Sequence, residues 1–205
     1  MLDWDGNLAK TLHVWIEAFH VVLAKRGIEA SDKEIVATFG KKTSFTDGWD
    51  IKDNDEAYQE ADEYVKVKLP HVELYPDAIE VLNALHDKGK KLALVTSSRH
   101  EIVIGLLDSY NLRRLFDVVV AGDDVTHHKP HAEPLEKALV ALGGTKDQAV
   151  MIGDSDKDLG AAQNFGIDSI LFYPDEHAAF YDLDDLKPFN PTYIIEDFKK
   201  ILRFS

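Results

Sequence analysis

The chain contains no cysteine. This absence excludes disulfide bonds, thiolate zinc sites and a cysteine nucleophile, and it is compatible with a reducing compartment. Long apolar runs are missing as well, since no stretch approaches the roughly 18 residues that a membrane-spanning helix needs. The first residues also lack the basic and apolar segments of a signal peptide. We therefore expect a cytoplasmic protein without a membrane partner.

The chain is poor in positive charge. It has 23 lysine and arginine residues against 37 aspartate and glutamate residues, and its formal net charge at pH 7 is −14. Such an acidic surface disfavours binding to nucleic acid and to anionic membranes. A phosphate-bearing ligand would therefore need local positive charge from a metal ion, a lysine or a helix N-terminus.

The first part of the chain has the residue spacing of helices. Residues 8–26 repeat apolar side chains at helical intervals, and another helix is predicted over 54–68. Between them, Ser31 followed by Glu34 has the capping-box pattern that begins a short helix. With 205 residues and 45% hydrophobic content, the chain can form a core domain that carries an insert. We therefore predict an all-helical insert at residues 9–74.

The remainder of the chain alternates short strand patterns with helical patterns. Four apolar runs rich in β-branched residues are KLALVT (91–96), DVVVAG (117–122), AVMIGD (149–154) and DSILFY (168–173). A late strand is predicted near Tyr193–Ile195. Strands that alternate with helices indicate βαβ units and a parallel sheet. The predicted fold is α/β: a doubly wound, Rossmann-like core of residues 1–8 and 75–205, with a small all-helical domain inserted after the first strand.

Polar side chains follow the predicted strands at the ends where ligands bind in an open α/β sheet. They are Asp3, Asp5, Thr96, Ser97, Lys129, Asp154 and Asp158. Asp3 and Asp5 are two residues apart, so they share one face of an extended segment. Crowding of like charges raises the pKa of one of them, which allows one carboxylate to act as a nucleophile and the other as a general acid/base.

The remaining side chains of this set have the types that a phosphate site requires. Asp154 and Asp158, together with Asp3, offer hard oxygen ligands suited to Mg²⁺. Thr96 and the backbone N–H of Ser97 can hold phosphate oxygens. Lys129 adds a positive charge for the phosphate and for the aspartates. Together these groups supply what phosphoryl transfer needs, namely an in-line nucleophile, a metal ion and charge stabilisation.

Four sequence motifs, taken in order, resemble those of the haloacid dehalogenase-like (HAD) hydrolases. Asp3-Trp4-Asp5-Gly6 looks like the first motif and Thr96 like the second. Lys129, in HHKPHAEP, looks like the third, and Gly153-Asp154-Ser155-x-x-Asp158 like the fourth. The resemblance covers about residues 1–174 and is greatest to the branch of phosphoglycolate phosphatase and β-phosphoglucomutase. Each motif alone is weak evidence, but four motifs in order on suitable strands are strong evidence.

The resemblance implies a Mg²⁺-dependent phosphatase that acts on a small phosphorylated metabolite. By analogy, Asp3 would be the nucleophile that forms an aspartyl-phosphate, and Asp5 would be the acid/base. Mg²⁺ would bind Asp3, Asp154 and the backbone carbonyl of Asp5, with Asp158 contributing directly or through water. The helical insert would be a cap that closes over the substrate. The protein would be a monomer or a homodimer.

Other functions share parts of this pattern. A sugar phosphomutase would use the same core residues and differ in how the cap holds the intermediate. A 2-haloacid dehalogenase is disfavoured because that branch lacks the second aspartate, here Asp5. A signalling receiver domain has no GDSxxD motif after the lysine and no helical insert, so it is also disfavoured. A non-catalytic, regulatory member of the family remains an alternative.

The helical insert is expected to select the substrate, particularly through residues 40–52. Lys41 and Lys42 either touch the substrate or are simply solvated, and the sequence favours neither arrangement. Trp49 is either an anchor of the insert or a wall of the substrate pocket. These three residues are therefore the candidate specificity residues.

The loop that contains Lys129 is rich in histidine. His127, His128 and His131 have the side chains of metal ligands, but we favour a polar loop beside the site. A lysine in such a loop would ordinarily be a solvated surface residue. Its expected role depends on the presence of the other motifs.

The segment before the first motif is short. Only Met1 and Leu2 precede Asp3. Members of the family that the sequence resembles usually have several more apolar residues there, and these form the central strand. Either the natural chain starts upstream of Met1, or so short a first strand lowers stability and activity; we favour the first.

Overall fold

The computed structural model describes residues 1–39, Trp49 and 51–204. The strands formed by these residues are β1 (Ala93–Val95), β2 (Val118–Val120), β3 (Val150–Gly153), β4 (Asp168–Phe172) and β5 (Tyr193–Ile195). The α-helices are α1 (Leu12–Lys25), α2 (Asp32–Val36), α3 (Asn54–Lys68), α4 (Ala78–Asp87), α5 (His100–Ser109), α6 (Glu133–Leu142), α7 (Asp156–Phe165) and α8 (Leu183–Leu186). None of the helices in the described part of the chain is long and apolar enough to cross a bilayer.

All strand pairs are parallel. Strand β1 pairs with β2, β3 pairs with β4, and β4 pairs with β5, which is the late strand expected from the sequence. Leu2 forms parallel bridges to Leu94 of β1 and to Ile152 of β3, so the N-terminal residues join the two groups of strands. The resulting order is β2, β1, the segment around Leu2, β3, β4 and β5. The predicted α/β class with a parallel sheet is confirmed.

The N-terminal segment is short, but it is hydrogen bonded to both neighbouring strands. On one side, Leu2 donates to the carbonyl of Ala93 at 2.9 Å and accepts from the N–H of Val95 at 2.8 Å. On the other side, the N–H of Asp3 donates to the carbonyl of Ile152 at 3.0 Å. Asp3 therefore lies in the middle of the sheet, at the edge formed by the carboxyl ends of the strands.

Apolar side chains cover the sheet on both faces. Ala93, Val95 and Met151 belong to one buried cluster, which includes side chains of α6 and α7. Leu94 and Ile152 point to the opposite face and belong to a second cluster with side chains of α4 and α5. This alternation is the period of two expected for strands, and covering on both faces is typical of parallel sheets.

Helices α1 to α3 form a helical region between the N-terminal segment and α4. The chain enters and leaves this region side by side, because Ala9 and Leu74 form an antiparallel bridge. The N–H of Lys10 also donates to the carbonyl of Glu73 at 2.9 Å. The helix predicted from residue 8 begins only at Leu12, because the preceding residues take part in this pairing. The two connecting segments therefore hold each other in place.

Leu2 offers a test of how much the N-terminal segment contributes to stability. Its side chain is 1% exposed, so we expect Leu2→Ala to lower the free energy of unfolding by about 3 kcal/mol, through lost burial and the cavity left behind. Val140→Ala is the matched control, since Val140 is 76% exposed and should cost less than about 0.5 kcal/mol. Urea denaturation measures both values. Equal effects of the two substitutions would contradict the central position of Leu2.

Candidate active site

A buried lysine connects two of the aspartates singled out in the sequence. The ammonium of Lys129 lies 2.9 Å from Oδ1 of Asp3 and 2.6 Å from Oδ1 of Asp158. It also donates to the carbonyl of Val95, at the end of β1, at 3.0 Å. Lys129 is only 3% exposed. Segments that are far apart in the sequence therefore meet at one charged group.

Asp154 joins this group to form a cluster of three carboxylates. Potential ligand oxygens of Asp3, Asp154 and Asp158 all lie within 4.8 Å of one another, and all three residues are buried. The three carboxyl groups of this cluster outnumber the single ammonium of Lys129. Several carboxylate oxygens at such spacing are the donor set that Mg²⁺ prefers. The residues present therefore fit the metal that the sequence implies.

Burial and neighbouring charges shift the pKa values of Asp3, Asp154 and Lys129. Burial raises the pKa of Asp3 to about 8, although the ammonium of Lys129 partly opposes this shift. Burial also raises the pKa of Asp154, and the carboxylates of Asp158 and Asp3 add to the effect. Burial alone would lower the pKa of Lys129, but Asp158 and Asp3 together raise it above its ordinary value. Without a metal ion, the cluster therefore favours a charged lysine and at least one protonated carboxyl group.

Gly6, the last residue of the first motif, allows the first loop to approach Asp154. Its φ is +71°, in the left-handed region that side chains rarely adopt. A Cβ at this position would lie 2.4 Å from Oδ2 of Asp154. Only glycine therefore lets the loop turn tightly and leaves room for the carboxylate.

Asp5 is half-buried and lies apart from the carboxylate cluster. Its Oδ1 accepts a hydrogen bond from the indole Nε1–H of Trp15 at 3.1 Å. Its Oδ2 accepts one from the hydroxyl of Ser98 at 2.7 Å. Trp15 belongs to α1 of the helical region, whereas Ser98 follows β1. Asp5 is thus held between the core and the helical region by two donors that the sequence analysis did not identify.

The residues after β1 form a tight loop before α5. Thr96 is buried, and its Oγ1 accepts a hydrogen bond from the N–H of Ser98 at 3.1 Å. Ser97 lines the cavity described below. Helix α5 begins at His100, so Ser97 lies in the loop that leads into the helix rather than in its first turn. Ser97 therefore lines the same cavity as Asp3 and Asp154, whereas Thr96 is not among the described residues of its wall.

A cavity of about 600 Å³ opens above these residues. The core contributes Asp3, Asp5 and Lys129 to its wall, and α3 of the helical region contributes Tyr58 and Asp62. The cavity therefore lies between the core and the helical region, with the carboxylate cluster at its base.

One ion pair crosses this cavity. The guanidinium of Arg99, which precedes α5, pairs with the carboxylate of Asp62 on α3. Both residues line the cavity, and the Arg99 side chain is 52% exposed whereas that of Asp62 is 10% exposed. Neither residue stands out in the sequence, because their partnership depends on how α3 lies over the core.

The C-terminal part of the chain also reaches the cavity. Tyr181, between β4 and α8, lines the same wall as Asp154. Burial raises the pKa of the Tyr181 hydroxyl, and the neighbouring carboxylate of Asp154 adds to the rise. The sequence offers no signal for this residue, which follows the segment covered by the four motifs.

Of the three candidate specificity residues, Trp49 belongs to the described part of the chain. Lys41 and Lys42 lie outside the described residues. Trp49 is half-buried and packs against the main apolar cluster. It is not among the described residues that line the cavity. In this structure Trp49 contributes to packing.

The histidines of the Lys129 loop lie in two environments. His128 lines the cavity. His127 and His131 are exposed, and their rings stack with centroids 4.6 Å apart. Both of these imidazoles are hydrogen bonded to Glu133, at the start of α6.

Comparison with known proteins identifies the family of this chain. Residues 1–172 match the family model described as haloacid dehalogenase-like hydrolase. The chain belongs to this family. Pyrophosphatase PpaX of Halalkalibacterium halodurans is 31% identical to this HAD-like hydrolase, over 98% of the chain and 94% of the relative. The phosphoglycolate phosphatase of Salmonella typhi is 41% identical, but over only 47% of the chain and 38% of the relative.

Solved structures share the fold of this HAD-like hydrolase. A haloacid dehalogenase-like family hydrolase from Streptococcus pneumoniae superposes with a TM-score of 0.82 at 22% identity, over 99% of this chain and 95% of the other. CbbY from Rhodobacter sphaeroides gives a TM-score of 0.77 at 22% identity, over 98% and 94% of the two chains. At these identities the likeness shows the fold alone. Together with the family match and the relatives, it confirms the resemblance stated from the motifs and the assignment as a phosphatase of the HAD-like family.

The ionisation of the cluster predicts how Mg²⁺ should act on stability. Because the folded pKa of Asp3 is raised to about 8, the metal-free protein binds an extra proton below that pH, and its stability falls as pH rises toward 8. Mg²⁺ must displace this proton, so we expect the metal to raise Tm more at pH 8 than at pH 6. Thermal denaturation with Mg²⁺ and with a chelator measures the difference.

Asp154→Asn provides the control for this measurement. Removal of one carboxylate from the cluster should reduce the Mg²⁺-induced rise in Tm at both pH values. A rise that is larger at pH 6, or that is unchanged in Asp154→Asn, would contradict the assignment of the cluster as a cation site.

Proposed function

We propose that this protein is a Mg²⁺-dependent phosphatase that hydrolyses a small phosphorylated metabolite through an aspartyl-phosphate on Asp3. The observation that carries the proposal is the buried cluster of Asp3, Asp154 and Asp158, of which Asp3 and Asp158 contact the ammonium of Lys129. Structural ion pairs rarely leave several carboxylates crowded around one cation, because an unbalanced buried charge is costly. A site that binds a divalent cation and a phosphoryl group explains the crowding.

The residues that would hold Mg²⁺ are Asp3, Asp154, Asp158 and the backbone carbonyl of Asp5. When bound, the ion would neutralise charge on the phosphoryl group and keep the carboxylates ionised. The other tasks belong to the side chains of the chain. Lys129 stabilises the ionised form of Asp3 from 2.9 Å and would offset negative charge that develops on a transferring phosphoryl group. Thr96 and the backbone N–H of Ser97 would bind phosphate oxygens.

Asp5 is suited to move protons because it is separate from the carboxylate cluster. The donors on Trp15 and Ser98 fix the orientation of its carboxylate. Asp5 would donate a proton to the leaving-group oxygen while Asp3 attacks phosphorus. It would then accept a proton from the water that hydrolyses the aspartyl-phosphate, as general acid/base catalysis requires.

The helical region, residues 9–74, would act as a cap over the cavity. Two contacts support this role: the hydrogen bond from Trp15 to Asp5 and the ion pair between Asp62 and Arg99. Both contacts join the helical region to loops of the core. A closed cap excludes water while the phosphoryl group is transferred, and opening releases the product. The specificity residues predicted in this region remain proposals.

We propose inorganic pyrophosphate as the first substrate to test and phosphoglycolate as the second. The relatives matched along nearly their whole length include proteins named pyrophosphatase PpaX, whereas those named phosphoglycolate phosphatase match about half of this chain. Both compounds have a second anionic group beside the phosphoryl group. Arg99 lines the cavity, and its guanidinium is a candidate partner for that group if it exchanges its contact with Asp62.

Asp3→Asn tests the nucleophile. We expect kcat for the best substrate to fall at least about a thousandfold, because an amide cannot form the aspartyl-phosphate. Release of phosphate from pyrophosphate, phosphoglycolate and a hexose monophosphate, each with Mg²⁺, measures the effect. Asp87→Asn is the control, since the Asp87 side chain is 82% exposed and lies outside the site. Turnover by Asp3→Asn at the wild-type rate would remove Asp3 from the mechanism.

The same measurements separate the phosphatase from the alternatives. A sugar phosphomutase would use the same core residues but would produce an isomeric sugar phosphate rather than free phosphate. A non-catalytic member of the family would release phosphate from none of the compounds. The phosphatase proposal requires free phosphate from at least one of them, in a reaction that depends on Mg²⁺.

A further inference from the structure

The loop that carries Lys129 into the site is anchored outside the site by one carboxylate. Glu133, the first residue of α6, accepts a hydrogen bond from the N–H of Thr126 at 2.9 Å through Oε1. Its Oε2 accepts from the N–H of His127 at 2.9 Å and from the imidazole Nδ1 of the same residue at 2.9 Å. These bonds fix the segment directly before Lys129.

The segment after Lys129 is held by the same residue. The backbone N–H of Glu133 donates to Nδ1 of His131 at 3.1 Å. Both flanks of Lys129 are therefore bonded to Glu133, one through its side chain and one through its backbone. The imidazoles of His127 and His131 serve this anchor, which accounts for two of the histidines that are noticeable in the sequence.

A second basic residue ties this anchor to the start of the loop. Lys137, one turn further along α6, lies 3.2 Å from Oε1 of Glu133 and donates to the carbonyl of Asp124 at 2.6 Å. The side chain of Asp124 accepts from the N–H of Ala121 at 2.8 Å and is paired with the ring of His100 at 2.9 Å. The loop is thus braced from the end of β2 to the first turn of α6.

The anchor at Glu133 and the ammonium of Lys129 lie in different environments, and this difference indicates why the loop is anchored. The anchor lies near the surface, where His127 is exposed and the Glu133 side chain is 17% exposed. The ammonium of Lys129 is buried between two carboxylates. A loop that must insert a charged group into a buried site needs a fixed backbone, because a shift of about 1 Å can cost a large part of the rate.

We propose that Glu133 is a positioning residue, which holds the loop so that the ammonium of Lys129 lies between Asp3 and Asp158. The proposal rests on the proposed function, because it gives Glu133 a part in the same reaction. Glu133 is not among the described residues that line the cavity, so it acts through Lys129 and does not touch the substrate. The N–H of Thr126 and the donors of His127 lower the pKa of Glu133 to about 2, so the anchor remains charged at ordinary assay pH.

The test compares Glu133→Ala, Glu133→Gln and Glu136→Ala. Glu136 is exposed on the same helix and provides the matched control. We expect Glu133→Ala to lower kcat for p-nitrophenyl phosphate with Mg²⁺ about tenfold, because the carboxylate's hydrogen bonds to Thr126 and His127 are lost. KM should change less than about twofold, since Glu133 does not line the cavity and Lys129 acts mainly on the charge that develops in the transition state. Glu133→Gln keeps one acceptor oxygen, which can serve one of the two backbone N–H groups, so its kcat should fall between those of Glu133→Ala and the wild type. Glu136→Ala should match the wild type.

A second measurement reads the position of Lys129 without turnover. Brief acetylation with acetic anhydride, followed by mass spectrometry, reports how accessible the Lys129 amine is in the folded protein. We expect Glu133→Ala to increase the labelling of Lys129 about tenfold, because charged hydrogen bonds that hold the loop are lost. Glu136→Ala should leave the labelling of Lys129 unchanged. If Glu133→Ala does not fold, Glu133→Gln is measured in both assays.

The two assays separate this proposal from the function on which it rests. A lower kcat with unchanged Lys129 labelling would overturn it, because Glu133 would then act by another route. Increased labelling with wild-type kcat would overturn it as well. If the wild type released phosphate from no substrate, the proposed function would fail, and labelling alone would show whether Glu133 holds Lys129 in place.

Discussion

This site depends on one interaction, in which a buried ammonium lies between two carboxylates and contacts both. Lys129 is 2.9 Å from Asp3 and 2.6 Å from Asp158, and none of these groups would be stable at this depth without its partners. With Asp154 as a third carboxyl group, the cluster can ionise fully only if more positive charge is present than Lys129 supplies. A divalent cation would restore the balance. The excess of carboxyl groups over cations therefore explains both the raised pKa values of the metal-free cluster and the proposed binding of a divalent cation.

The fold supplies the geometry that this interaction needs. Leu2 bridges β1 and β3, which puts the first acidic residue in the middle of a parallel sheet, where strand ends from distant parts of the chain meet. The helical region lies above this edge and contributes Trp15 and Asp62 to contacts with the core. Glu133, on the outside, holds the loop that delivers Lys129. The site thus depends on backbone hydrogen bonds within the sheet and on side-chain hydrogen bonds around it.

The sequence predicted those site residues whose position follows from strand ends. Asp3 and Asp154 directly follow apolar runs, and the carboxyl ends of parallel strands share an edge, so their proximity could be inferred. The contacts of Asp5 could not be inferred in this way. Trp15 has the spacing of an apolar helix stripe, and only the packing of α1 against the core brings its indole N–H to Asp5. The pairing of Arg99 with Asp62 likewise depends on how α3 packs over the core. No local sequence pattern predicts that packing.

The central claim is that this cluster makes the carboxylate of Asp3 a nucleophile. The most direct measurement is mass spectrometry of peptides from protein that has been acid-quenched during turnover of its best substrate with Mg²⁺. The account predicts a phosphoryl group on the peptide that contains Asp3, and its absence when Mg²⁺ is replaced by a chelator. A phosphoryl group on a different residue, or steady turnover in which Asp3 is never labelled, would contradict it.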